Sequence, residues 1–315
     1  MNSISFSILI PAYKTAFLRE CIDSVLAQSY RTFELVIVDD ASPEDIKSII
    51  DNYDDSRIRY YRNETNFGAV DVVDNWNKCL SYAKGDYVIC MGDDDRLSPN
   101  CLEEYTKLIN RYPSIKVFHG RTELIDENGK CLNVLECREE IESTLTHIYY
   151  RWRGRYQYIG DFCYETKTLI RLGGFYKLPL AWASDDISAV RQSAIDGYIV
   201  NSNMVLFQYR INRSTITSSG ANMVKLEAIN EEKKWFDVFL NNYQYNIDEK
   251  KIFSLLIEMK DRHFQKKSLD VISTDVCSKP WTFFSYIPKM KQYGLTAKML
   301  AYIVLQALMM IGKRL

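Results

Sequence analysis

The sequence has no CxxC pair, no GxGxxG fingerprint, no internal repeat, no low-complexity tract and no apolar run that comfortably spans a bilayer. Each absence removes a class of explanation. The eight cysteines, at positions 21, 79, 90, 101, 131, 137, 163 and 277, have no spacing that resembles a zinc site. Several lie inside apolar runs, so buried, reduced thiols in a reducing compartment are expected. A net charge of -1 leaves no dominant basic stripe and argues against a nucleic-acid partner. The N-terminus, MNSISFSILIPAY, has no basic n-region and too short an apolar run for a signal peptide, so a cytoplasmic location is expected.

What is present suits a globular chain. Its 315 residues, 26% charged and 47% hydrophobic, fit one large domain, or one of about 220 residues with a helical appendage. The stretch Gly85 to Pro99, GDYVICMGDDDRLSP, organises the rest. Tyr87 to Met91 is a short apolar run bounded by glycines, as expected of a buried strand. Asp93, Asp94 and Asp95 follow at its carboxyl end, the edge at which open α/β sheets bind ligands. Three adjacent carboxylates repel one another and need a cation, a dipole or free solvation. A divalent metal that prefers hard oxygen ligands, Mg²⁺ or Mn²⁺, is one answer. A solvated acidic turn, neutralised in part by Arg96, is the other.

Upstream, Ser5 to Ile10 reads as a strand that stops at Pro11, with Tyr13 in the loop beyond. Leu18, Cys21, Ile22, Val25 and Leu26 recur at helical spacing. Phe33 to Val38 is the next strand and brings Asp39 and Asp40 to the same edge. Ser42, Pro43 and Asp45 predict a capped helix start. Ile58 to Arg62 is a strand, Asn66 to Gly68 a loop, and Val70 to Ala83 a helix leading into the acidic stretch. Such alternation with short connections is the pattern of a parallel sheet wrapped by helices.

Farther along, a helix from Ser98 to about Arg111 precedes a strand at Ile115 to His119. Asn128-Gly129 marks a hairpin between residues 123–125 and 131–135. A helix at Thr144 to Trp152, a loop opened by Gly173-Gly174-Phe175, the second acidic pair Asp185 and Asp186, a helix from Ile187 and a strand from Ile199 complete an α+β half. Residues 222–240 and 248–267 are amphipathic helix formers. Met299 to Ile311 is apolar apart from Gln306, yet shorter than the about 20 residues a bilayer requires. With Trp281, Phe283, Phe284 and Lys289 upstream, it reads either as a helix in the membrane interface or as one buried against protein.

The series IPAYK, VDDAS, GDYVICMGDDDRLSP, ASDDI and YRINRS, in this order over residues 5–218, resembles the GT-A-fold family 2 glycosyltransferases, inverting enzymes that use nucleotide sugars. The resemblance implies an α/β GT-A (nucleotide-diphospho-sugar transferase) fold, a mostly parallel central sheet flanked by helices. It divides the chain into a transferase domain at 1–220, with a nucleotide-binding half at 1–98 and an acceptor half at 99–220, and a helical extension at 221–315. It places the nucleotide, UDP foremost, against Pro11, Ala12, Tyr13, Asp39, Asn66 and Asp93. Uracil offers an imide N–H and a flat face, which a carboxylate and an aromatic shelf suit.

It also implies Mn²⁺ or Mg²⁺ at Asp94, bridging the diphosphate, with Asp186 as general base and Asp185 orienting the acceptor or base. The bland alternative for the pair is helix capping. The chain departs from the family where Gly92 replaces the first Asp of DxDD, where Trp76 rather than Arg precedes Asn77, and where Asn212 stands for a frequent metal-binding His. Asn77, Arg210 and Arg213 are the candidate diphosphate or loop contacts. The implied activity moves a hexosyl or N-acetylhexosaminyl group from a UDP-sugar to a hydroxyl of a glycan or lipid-linked glycan, in cell-surface polysaccharide assembly. The setting would be the inner face of the cell membrane, with peripheral contact through 281–315. A catalytically silent sugar-nucleotide-binding scaffold of a glycan assembly complex is the alternative, and it would have no need of Asp94 together with Asp186.

Overall fold

The computed structural model describes residues 3–212, 221–290 and 292–312. Arg213, one of the candidate diphosphate or loop contacts, lies outside the described residues. The chain divides into two units, one running to Lys177 and resuming at Ser184, the other formed by Leu178–Ala183 and the helices beyond residue 221.

In the first unit, β1 (Phe6–Ala12), β2 (Phe33–Asp39), β3 (Ile58–Arg62) and β4 (Tyr87–Cys90) form the parallel block β3-β2-β1-β4. The connections α1 (Leu18–Leu26), α2 (Ile46–Ile50) and α3 (Val72–Tyr82) cross between these strands. Ile8, Ile10, Leu35, Ile37 and Ile89 of the strands pack with Leu18, Ile22 and Val25 of α1, all fully buried. At about 1.5–3 kcal/mol per fully buried aliphatic side chain, this cluster holds the carboxyl edge of the sheet rigid.

Two local expectations shift. β1 runs through Pro11 rather than stopping before it, because pairing with β4 ends at Leu9 and the missing N–H forfeits no bond on that side. The second helix starts at Ile46, capped by the Asp45 carboxylate on the Ser48 N–H, while Ser42 turns inward to donate to the Tyr13 carbonyl.

The remaining strands, β5 (Arg96–Leu97), β6 (Val117–Ile125), β7 (Cys131–Val134), β8 (Ile141–Ser143), β9 (Phe162–Glu165) and β10 (Tyr198–Arg210), extend the sheet as β4-β9-β6-β10-β5. Here only β6 and β10 run parallel; β9 enters antiparallel between β4 and β6, and β7 forms the expected hairpin with β6. The parallel character is therefore concentrated in the β1–β4 half. Helices α4 (Cys101–Arg111), α5 (Thr144–Trp152), α6 (Thr166–Arg171) and α7 (Ser184–Ser193) complete the unit. All eight cysteines are free thiols; five are buried, but Cys131 and Cys137 are exposed, contrary to a uniformly buried set.

The second unit contains α8 (Asn222–Asn242), α9 (Lys250–Ser278), α10 (Phe283–Tyr286) and α11 (Ala297–Gly312). Glu232, almost fully buried on α8, is neutralised by Lys267 of α9 at 2.5 Å. Asp275 accepts from Asn222 and from the Tyr286 hydroxyl, tying α8, α9 and α10 together. α11 buries Leu300 and Ile303, while Trp281 and Phe284 stand largely exposed. Among the described residues, no helix is long and apolar enough to cross a membrane.

Candidate active site

β4 ends at Cys90, and the acidic triplet turns directly off it. Both the Tyr13 and Lys14 N–H groups, from the loop after β1, donate to one oxygen of Asp93, at 2.7 and 2.8 Å. Burial still pushes the Asp93 carboxyl up to about 6, with Asp94 adding to the rise. Burial and then Asp94 likewise raise Asp95 well above the carboxylate range. Asp94 is half-buried, and its side chain accepts from the Asn212 amide at 2.6 Å. A Cβ on Gly92 would lie 2.9 Å from carboxylate oxygens of Asp94 and Asp95, so the departure from the family pattern leaves space that the carboxylates fill.

The cation behind the triplet is Arg210, not Arg96. Arg96 reaches the Gly129 carbonyl and Glu20 instead. Arg210, 0% exposed, donates to the carbonyls of Asp94, Asp126 and Glu127 and to Glu20, and its guanidinium lies 4.2 Å from the Phe17 ring centroid. Its backbone N–H also donates to Asp95 at 2.9 Å. The expectation that Arg210 clamps a diphosphate is therefore corrected: its donors are committed to positioning the acidic turn.

Asn77 is corrected in the same way. Its amide exchanges two hydrogen bonds with the Phe175 backbone, at 3.0 and 2.8 Å, and so fastens the loop after α6 instead of facing a diphosphate. Gly174, in the left-handed region at φ 83°, brings its Cα within reach of this amide; a Cβ there would lie 2.3 Å from Asn77 Oδ1. Gly174→Ala is expected to cost about 2 kcal/mol or more, read as a lower denaturation midpoint at constant slope. A midpoint unchanged within error would show that the loop relaxes freely.

At the next strand end, Asp39 closes β2 with 0% exposure. It accepts from the Ser42 N–H at 2.8 Å, the Tyr60 hydroxyl at 2.8 Å and the Arg62 guanidinium. A carboxylate has about four acceptor positions, so one remains beside the half-exposed Arg62. Tyr13, 40% exposed, stands past Pro11 and Ala12 at the end of β1, and Asn66 is exposed in the loop after β3. Register pairs Ala12 with Asp39, which places shelf and carboxylate on adjacent strand ends.

The second acidic pair opens α7. Asp186 receives a bidentate grip from Arg151, at 2.5 and 2.9 Å, and a further bond from Gln157 at 2.6 Å. Asp185 has no such cation, and burial beside the Asp186 carboxylate pushes it up to about 7. Tyr209 precedes Arg210 at the end of β10. Its hydroxyl is raised by burial and by the charges of Asp95, Asp94 and Asp185, and its ring stacks on Tyr158 at 3.8 Å. Arg151, Gln157 and Tyr209 were not singled out by sequence reasoning; only their placement in three dimensions gives them a part.

Among the described residues, no three histidine, cysteine, aspartate or glutamate side chains are grouped as a metal cage. The donor set instead fits a cation held by one carboxylate, Asp94, with oxygens of a bound diphosphate supplying further ligands, the usual arrangement for Mg²⁺.

The model of the family described as glycosyl transferase family 2 matches residues 7–175. An uncharacterized glycosyltransferase of Rickettsia felis is 34% identical over 134 residues, 41% of this chain and 21% of that protein. The glycosyltransferase GlyG of Streptococcus pneumoniae is 33% identical over 100 residues, 31% of this chain and 32% of GlyG. The chain thus covers well under two thirds of the length of these curated relatives. In structure, S. aureus TarS 1-349 in complex with UDP-GlcNAc superposes with a TM-score of 0.67 at 17% identity, covering 98% of this chain and 89% of that one. The mannosyltransferase PcManGT of Pyrobaculum calidifontis, in complex with GDP-Man and Mn²⁺, gives 0.58 at 14% identity, covering 97% and 86%. These two likenesses show a shared GT-A glycosyltransferase fold. With the family model spanning more than half of the chain on this sheet, the protein belongs to glycosyltransferase family 2.

Proposed function

We propose that the protein is an inverting, metal-dependent transferase that moves a hexosyl or N-acetylhexosaminyl group from a UDP-sugar to a hydroxyl of a glycan acceptor. The observation that carries this reading is the acidic turn off β4, which Asp93 ties to the Tyr13 and Lys14 N–H groups of the β1 loop and Arg210 backs from behind. A donor diphosphate would lie at this turn and an acceptor hydroxyl at the Asp185–Asp186 pair. UDP is favoured by Asp39 and Tyr13, a carboxylate and an exposed ring at adjacent strand ends, and by the TarS neighbour in complex with UDP-GlcNAc. A membrane-side glycan assembly role is part of the same proposal, supported by the exposed Trp281 and Phe284.

In this mechanism Asp39 accepts the imide N–H, Tyr13 covers the base, and Asp93 fixes the β1 loop through the Tyr13 and Lys14 amides. Asp94 would hold the divalent cation, which when bound offsets the charge that builds on the leaving nucleotide. Asp185 and Asp186 act as a coupled base. Arg151 grips and orients Asp186, and the raised proton affinity of Asp185 suits it to accept the acceptor's proton near neutral pH. The sequence motif points to Asp186 for that step; the charge distribution points to the pair.

The test is UDP release from a panel of nucleotide sugars, with and without Mn²⁺ and with glycan acceptors. Metal-dependent release from one donor supports the reading; nucleotide binding with no turnover on any donor and acceptor favours the silent scaffold. The pH profile is a second check. A base must be deprotonated, so the rate is expected to be full above about pH 7 and to fall about tenfold per unit below it. Asp185→Asn should remove that limb, and a profile identical to the native one would exclude Asp185.

A further inference from the structure

The loop that holds Asp186 has a second side. Between Arg151 and Gln157, which both bind Asp186, residues Gly154, Arg155 and Tyr156 form part of the wall of a cavity of about 390 Å³. Arg121 and Arg138 line the same cavity, with His119 and Thr122 contributing from β6. Arg138 is 7% exposed; its Nη2 donates to the Tyr156 carbonyl at 3.1 Å, but its Nη1 is buried without a protein partner. Arg155, equally buried, spends both Nη groups on Glu142 at 2.8 Å, leaving Nε likewise unpartnered.

The charge balance is positive. Three guanidiniums line this space against one lining carboxylate, the exposed Glu136; Glu142, which pairs with Arg155, and Asp161, which Thr122 and the Tyr158 N–H engage, do not line it. Burial drives His119 toward its neutral form, and it pushes Asp161 up to about 7, so neither strongly alters this balance. Burial also lowers Arg138 to about 9, the mark of a cation with too little anionic company. Tyr156, 67% exposed, adds an aromatic wall suited to a sugar ring.

We propose that this cavity binds an oxyanion carried by the acceptor, a phosphate ester or a sugar carboxylate, with Arg138 and Arg121 as its ligands. An acidic acceptor seated there would lie along the loop that orients Asp186. Naming the ligand as acceptor rests on the transferase reading above; the anion site itself rests on the cavity and its unpartnered arginine donors.

The experiment is calorimetric titration of the full chain, saturated with UDP, with sn-glycerol 3-phosphate and with methyl β-D-glucuronide; glycerol and methyl β-D-glucoside serve as neutral controls. One anion is expected to bind with a stoichiometry of one, the neutral partner not at all, and R138Q and R121Q to weaken it about tenfold or more. Binding of the phosphate ester points to a phosphodiester-linked acceptor, and binding of the glucuronide to a uronic-acid glycan. Arg121 is only half-buried, so R121Q reports even if R138Q fails to fold. No binding of either anion at millimolar concentration, or affinities unmoved by R121Q, would overturn the proposal. A separate titration with UDP alone tells the two readings apart, because a chain that binds the anion but not UDP has lost the transferase reading and kept this one.

Discussion

Asp94→Ala is expected to lower metal-dependent sugar transfer at least about 10³-fold while leaving the protein as stable as before, or more so, when no metal is added. The two halves of this expectation have separate causes. The Asp94 side chain donates nothing to the core; its one described bond is from Asn212, and its charge raises the pKa of both Asp93 and Asp95. Removing it relieves that repulsion, so the apoprotein's melting temperature should hold or rise. Native protein should gain thermal stability on adding Mn²⁺ with UDP, and the variant should lose most of that gain. A variant that keeps its Mn²⁺-dependent turnover would move the metal elsewhere. One that melts far below the native chain would make Asp94 a structural residue.

The second large effect is predicted for stability. Arg210→Met keeps the length, the apolar stem and the backbone N–H bond to Asp95, but strips the carbonyls of Asp94, Asp126 and Glu127 of their donor. Deleting one partner of such a buried network costs about 3–5 kcal/mol, because the groups left behind stay desolvated. Urea denaturation of native and variant chains checks the figure. Glu20, 49% exposed, can turn to solvent, so most of the loss should come from the carbonyls. Arg210→Lys therefore should recover only part of it, since one ammonium cannot span three carbonyls. A loss below about 1 kcal/mol would mean that the acidic turn holds its own shape.

These cases mark what the sequence makes legible. The triplet after β4, Asp39 after β2 and the Asp185–Asp186 pair were readable because short apolar runs ending in acid have few interpretations on an alternating strand and helix background. The hairpin at Asn128-Gly129 was readable for the same local reason. What escaped is what depends on distance along the chain. Asn77 meets Phe175 across 98 positions, and Arg151 meets Asp186 across 35, with nothing in either local segment to announce the partner. Arg210 was read as a diphosphate or loop contact because arginines rarely vanish from solvent, and only the fold could reveal the carbonyls assembled around it. β9, four residues long, was missed because its pairing with β4 and β6 is made entirely by tertiary context.

The distribution of thiols has a practical side. Burial pushes up the thiols of Cys21, Cys79, Cys90, Cys101 and Cys163 and shields them from reagent, whereas Cys137 is exposed and adjoins Arg138. A Cys131→Ser background leaves Cys137 as the one fully exposed thiol among the described residues, so a maleimide fluorophore placed there would sit at the cavity rim. The native chain thus carries its own attachment point for an optical reporter, one that can follow ligand entry by emission in real time with no cysteine introduced.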